Sequence, residues 1–195
     1  MSLTIFRWLV FAACLAPIIH PLRLYYLDEL GAVPEETLLH FTGHTVLILL
    51  LITISWGFLW RFTGWVGFIA TRRQVGLWAF WWLLIHLLLW LGGIQAFQWQ
   101  WILLELGSVT HLQLGAAAFL LISLLALTSP SLIRKAMPAL LWRSLHRLIY
   151  LAAALGILHL WIVTRLDYRL VWVYALLLAG LLVLRLIFLK PPTRS

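Results

Sequence analysis

Long apolar runs, broken by short polar or turn-forming stretches, repeat along this chain. Six runs reach the length of about 20 residues that a bilayer crossing needs. They cover residues 4–22, 40–61, 76–97, 109–128, 142–163 and 169–189. Between them stand chain breakers: Pro21, the stretch from Gly31 to Pro34, Gly64, Gly107, Pro130, Pro138 and Pro191. Backbone N–H and C=O groups in hydrocarbon must bond within their own segment, so each run predicts a helix. The expected fold is an all-α integral membrane protein, a six-helix transmembrane bundle forming a single domain over residues 1–195.

Composition agrees with that pattern. The chain is 64% hydrophobic and 10% charged, with a mean hydropathy of +1.02, outside the range of soluble domains. A single cysteine, Cys14, excludes an internal disulfide, a Cys-x-x-Cys-His haem attachment and a four-cysteine iron–sulfur site. The net charge of +8 reads as topology rather than as nucleic-acid binding. With the N-terminus in the cytoplasm, eleven of the fourteen basic residues lie at the inner side: Arg7, Arg61, Arg72, Arg73, Arg134, Lys135, Arg143, Arg147, Arg185, Lys190 and Arg194. Arg23, Arg165 and Arg169 fall outside, as do all six acids, Asp28, Glu29, Glu35, Glu36, Glu105 and Asp167. That acidic rim suits partner docking. The stretch ending at Cys14 resembles a lipoprotein signal only faintly, and the apolar pattern runs on through Ile19, so it reads as the first transmembrane helix. The thirteen tryptophans read as packing and interfacial anchors. Gly115 to Ala118 predicts close helix approach in the fourth span.

The candidate chemistry lies in the seven histidines. An imidazole inside a membrane segment is costly unless it is paired or ligating. His86 sits in the third span with no polar neighbour in sequence. His146 and His159 share the fifth span, thirteen positions and about 20 Å apart along a helix, one near each face of the bilayer. Such histidines suit a haem iron held from both sides. An ideal helix sets these two side chains roughly 140° apart, so tilt or a distortion near Gly156 has to bring both into the bundle. By depth His86 can pair with either; parallel spans favour His159, leaving His146 for a second, inner site with an unidentified partner. His40 and His44, on one face at the outer start of the second span, are candidate outer ligands or an interfacial polar pair. His20 and His111 read as surface residues. Arg72, Arg73 and Arg147 are candidates to neutralise haem propionates or hold a flavin phosphate, Arg147 first because it adjoins His146. The chain has no His-Glu-x-x-His, no Gly-x-Gly-x-x-Gly and no phosphate loop, and no acid in mid-span. These absences disfavour a zinc peptidase, a Rossmann cofactor site and a proton-driven transporter.

Several stretches together resemble the MsrQ (YedZ) family of haem-binding membrane subunits. They are His40 to Gly43, Thr71 to Arg73 followed by Gly76 to Trp78, the His86 segment, Leu125 to Ser129, Trp142 to Tyr150, and His159 to Trp161. The resemblance runs from about residue 30 to 187. The two histidines thirteen apart are shared with the wider ferric reductase-like transmembrane superfamily, whose core falls at about 40–163. The resemblance implies a bacterial inner-membrane cytochrome carrying one or two haem b groups, with FMN as an associated cofactor. It implies electron relay from the quinone pool or a cytosolic flavin reductase to MsrP, a periplasmic molybdopterin enzyme that reduces methionine sulfoxide in oxidised proteins. By motif, His86, His146 and His159 would be the haem ligands, and His40 belongs to the family's His-Phe-Thr-Gly element. The third span holds one histidine where the wider superfamily has two. Such a subunit would be part of an oxidoreductase system without being catalytic alone. The competing readings are a haem-free membrane scaffold or small transporter, and a ferric or quinone reductase cytochrome b.

Overall fold

A computed structural model describes residues 2–188. Lys190, Pro191 and Arg194 lie outside the described residues, as does the end of the sixth expected span. Among the described residues there is no strand. The helices are α1 (Leu3–Leu15), α2 (Ile19–Tyr26), α3 (Pro34–Thr63), α4 (Val66–Leu88), α5 (Trp99–Ser108), α6 (Thr110–Leu127), α7 (Ser131–Ala136), α8 (Ala139–His146), α9 (Ile149–Val163) and α10 (Arg169–Phe188). Six stretches are long and apolar enough to cross a membrane: Leu3–Tyr26, Pro34–Thr63, Val66–Ile94, Thr110–Leu127, Ala139–Val163 and Arg169–Phe188. The all-α, six-span architecture is therefore as expected.

Three boundaries differ, each for a local reason. α3 starts at Pro34, not near residue 40, because proline presets the first helical turn and Glu35 and Glu36 complement its positive end. α4 starts at Val66, ten residues before the expected span. Gly64, at φ +69°, closes α3 with its N–H on the Trp60 carbonyl at 2.8 Å, and the next helix begins two residues later. Arg72 and Arg73 are consequently inside a spanning helix and not in a connector. The fifth span is broken at Arg147 and Leu148, between α8 and α9, rather than near Gly156. Gly156 instead gives close packing: a Cβ there would stand 3.0 Å from Leu47 Cδ2.

α3 is the most enclosed span, packing on α4, α9 and α10, while α6 packs mainly on α9. The core holds Leu50, Ile54, Val75, Ala79, Ala152, Ala153 and Val171. α1 is pinned to α4 by Trp82 Nε1–H on the Cys14 carbonyl and Gln74 Nε2–H on the Arg7 carbonyl, both 3.0 Å. Hydroxyls within the spans return their protons to carbonyls four residues back: Thr45 to Phe41, Thr53 to Leu49, Ser55 to Leu51 and Thr71 to Gly67. Large apolar side chains such as Trp8, Ile19, Trp81, Leu120 and Leu176 cover the outside, a surface suited to lipid rather than water.

The Gly64 turn sets how α3 and α4 pair. A β-branched side chain in the left-handed region costs about 1–2 kcal/mol. Gly64→Val is expected to lower the thermal midpoint in detergent, and Gly64→Asn to lower it less. Melting of the valine variant at the wild-type temperature would show that the turn is not under this constraint.

Candidate functional site

Two helix pairs meet around His86 of α4 and His159 of α9. Their ring centroids are 6.3 Å apart and their planes cross at 83°. His86 Nδ1 lies 3.1 Å from the Leu39 carbonyl and 3.2 Å from Thr42 Oγ1. His159 Nδ1 lies 2.6 Å from the His111 carbonyl. A carbonyl only accepts, so both rings carry their proton on Nδ1. The Thr42 hydroxyl gives its one proton to the Leu38 or Leu39 carbonyl, at 2.9 and 3.0 Å, and therefore accepts from His86 as well. In a neutral imidazole this leaves the Nε2 lone pair of each ring for another partner.

The same local device builds both halves. Leu39 precedes Gly43 by four residues on α3, and His111 precedes Gly115 by four on α6. A helical side chain leans over the turn before it, so the residue four places on normally covers a carbonyl. Glycine leaves that carbonyl open. A Cβ at Gly43 would lie 3.2 Å from His86 Cε1, and one at Gly115 would lie 3.1 Å from His159 Nδ1. Each ring thus lies on a glycine and bonds the carbonyl beneath it.

Two metal–nitrogen bonds of about 2 Å each, with half a ring on either side, span a centroid separation of the size observed. Among the described residues no group of three or more His, Cys, Asp or Glu side chains is placed to hold a metal ion. A bare ion would find two donors here. The arrangement instead suits a planar metal complex that brings its own equatorial ligands and takes one imidazole on each face.

The other outer histidines are placed differently. His40 is exposed on α3, next to Leu39, whose carbonyl bonds His86. His44 joins α3 to α10 through Nδ1 and the Tyr174 hydroxyl at 3.1 Å. His111 contributes its carbonyl, with its ring 5.8 Å from that of His159. His20 lies 5.2 Å from the Phe41 ring.

His146 stands apart, at the other end of the fifth span. Thr128 gives its hydroxyl proton to the Leu124 carbonyl at 2.7 Å and so accepts from His146 Nε2–H at 3.2 Å. His146 thus has the opposite tautomer, with Nδ1 unprotonated. Trp142 stacks on its ring at 4.0 Å and bonds the Thr128 carbonyl through Nε1 at 3.1 Å. Hydrogen bonds from Arg147 to Ser144, Leu148 to Leu145 and Tyr150 to Arg147 tighten the chain after His146 into a 3₁₀ path. Changing three or four steps from about 100° to about 120° adds roughly 60–80° of rotation. The tightened turn removes about half of the angular mismatch between His146 and His159.

The arginines separate as well. Arg72 is half-buried, its guanidinium 3.3 Å from where a Cβ of Gly57 would be. Arg73, one step round the helix, is exposed on a lipid-facing groove with Phe11, Trp78 and Trp81. Arg147 is exposed at the break. Sequence reasoning missed Thr42, the carbonyls of Leu39 and His111, and the pairing of Gly43 and Gly115 with histidines. A main-chain acceptor leaves no signature in the sequence, since every helical glycine has a carbonyl four residues before it.

Residues 40–157 match the ferric reductase like transmembrane component family. The chain is also 35% identical over 181 residues to the protein-methionine-sulfoxide reductase heme-binding subunit MsrQ of Rhodospirillum rubrum, covering 93% of this chain and 87% of that protein.

The glycine contacts give a controlled test. Gly43→Val and Gly115→Val place branched side chains against histidine rings and are expected to lower the melting temperature in detergent. Gly180→Val, where nothing lies within 4 Å of a Cβ, is expected to leave it near wild type. Equal melting of all three would remove the packing role assigned to Gly43 and Gly115.

Proposed function

This chain belongs to the MsrQ family of ferric reductase-like transmembrane components, and we propose that it is the b-type haem membrane subunit of a protein-methionine-sulfoxide reductase system. It is a multi-pass membrane protein, placed by this reading in a bacterial inner membrane with its N-terminus in the cytoplasm. Electrons come from the quinone pool or a cytosolic flavin reductase and leave to a periplasmic molybdopterin partner of the MsrP kind. The observation that carries the reading is the opposed pair His86 and His159, 6.3 Å between ring centres, each with Nδ1 bonded to a carbonyl.

Bound haem b supplies reversible one-electron chemistry between Fe(III) and Fe(II). The protein's part is to orient the ligands and set their basicity. His86 and His159 would hold the haem iron through Nε2, and with both imidazoles bound it would serve electron transfer rather than dioxygen binding. The carbonyls of Leu39 and His111 fix ring orientation, and their hydrogen bonds raise imidazole basicity. His146, with Trp142 stacked on it, belongs to a second, inner site, and Arg72 turns toward that end. His40, exposed beside the outer pair, lies at the outer edge of the first site. Asp28, Glu29, Glu35, Glu36, Glu105 and Asp167 form the acidic rim offered to the periplasmic partner.

The test is an absorption spectrum of protein purified in mild detergent, as isolated and after dithionite, with haem counted per chain. A sharp reduced α-band of b type is expected, and His86→Ala or His159→Ala removes that low-spin signal. Thr42→Val keeps the haem and raises its midpoint potential, because the ring loses one acceptor and becomes less basic. A colourless protein despite haem supply, or an unchanged spectrum in His86→Ala, overturns the reading.

A further inference from the structure

Basic residues at the ends of membrane spans normally reach outward to headgroups and water. Arg7, Arg61 and Arg73 are exposed in this way. Arg72 and Arg185 are not. Arg72 turns into the bundle against Gly57 of α3, and its guanidinium packs where a side chain would otherwise stand. Arg185 of α10 turns back over the Tyr150 ring of α9, with its guanidinium carbon 4.3 Å from the ring centre. The two cations are close enough to repel each other, and Arg72 also acts on His146.

Among the described residues no anionic side chain compensates them. Among the described residues the ion pairs are Arg23 with Glu29 and Arg169 with Asp167, and neither Arg72 nor Arg185 makes a hydrogen bond. The six acids lie in the segments 28–36, 105 and 167, at the opposite ends of the spans. Cations drawn partly out of water without a counter-charge are unfavourable. A topological role gives no reason for this, since an outward arginine would serve equally well. Tyr150 offsets part of the cost of Arg185 through its ring face, and Arg72 has no equivalent.

We infer that Arg72 and Arg185, both turned inward at the His146 end of the bundle, form a clamp for the paired anionic oxygens of a bound cofactor. The shared chemistry is a compact dianion, the two propionates of a second porphyrin or the phosphate of a flavin. Planar guanidinium groups bind such oxygens through paired N–H donors, which lysine does less well. The inference rests on the haem reading above and adds Arg185, which lies outside the matched residues 40–157. It also takes Arg72, turned into the bundle, in place of Arg147, which is exposed at the break.

The experiment compares Arg72→Gln, Arg185→Gln and the control Arg73→Gln in the full-length protein purified from membranes. Haem is counted by its pyridine complex, flavin by fluorescence after acid release, and midpoint potentials by redox titration. Arg72→Gln and Arg185→Gln are expected to lose the inner cofactor, or to hold it at a lower midpoint potential, since a removed cation favours the oxidised form. Both should keep the spectrum of the His86 and His159 site, which reports an intact fold. Arg73→Gln should match wild type, and Arg185→Lys should retain part of what Arg185→Gln loses. A fall in haem identifies the porphyrin, and a fall in flavin identifies the phosphate. Wild-type haem, flavin and potentials in both glutamine variants would overturn the clamp, as would the same loss in Arg73→Gln. A wild-type protein without haem would instead overturn the reading on which the clamp rests.

Discussion

The structure depends on a backbone carbonyl having two lone pairs. In a helix one is taken by the N–H four residues on, and the second is usually covered by the side chain at that position. Glycine at 43 and 115 uncovers it, and an imidazole from the neighbouring helix takes it. One choice of residue satisfies the buried Nδ1–H, sets the tautomer, aims Nε2 and brings two helices within touching distance. α3 with α4 and α6 with α9 repeat the arrangement, so the opposed pair of rings arises where two like halves meet.

The inner end follows different rules. His146 is held through Nε2 by a threonine hydroxyl and stacked on Trp142, and at that end Arg72 turns into the bundle against Gly57. The two ends of the bundle are chemically unequal. The outer one offers neutral nitrogen donors in opposition. The inner one offers one imidazole and two guanidinium groups, which suits the anionic margin of a cofactor at least as well as its metal.

Much of the fold was legible because apolar length is nearly all that a membrane span requires. The errors fell where charge was read as a boundary. Arg72 and Arg73 looked like a connector, yet Gly64 turns the chain in so few residues that the helix had already restarted at Val66. The break after His146 carries no glycine or proline and could not be seen. His86, His146 and His159 stood out because imidazole is expensive in hydrocarbon. The contributions of Leu39 and His111 were invisible, since they are made by main-chain oxygen. Arg185 was counted toward topology, because only the packing of α10 on α9 reveals that it faces Tyr150.

That the orienting acceptors are carbonyls has a further consequence for how such a chain can diverge. Position 39 or 111 can exchange its side chain freely without altering the oxygen that holds the ring, provided the helix is kept. Tolerance to drift is therefore concentrated at the residues that supply the acceptor, and intolerance at the glycines that expose it. A lineage could rewrite most of its lipid-facing surface and still inherit the same ligand orientation, because what is inherited is a helical register and two missing side chains.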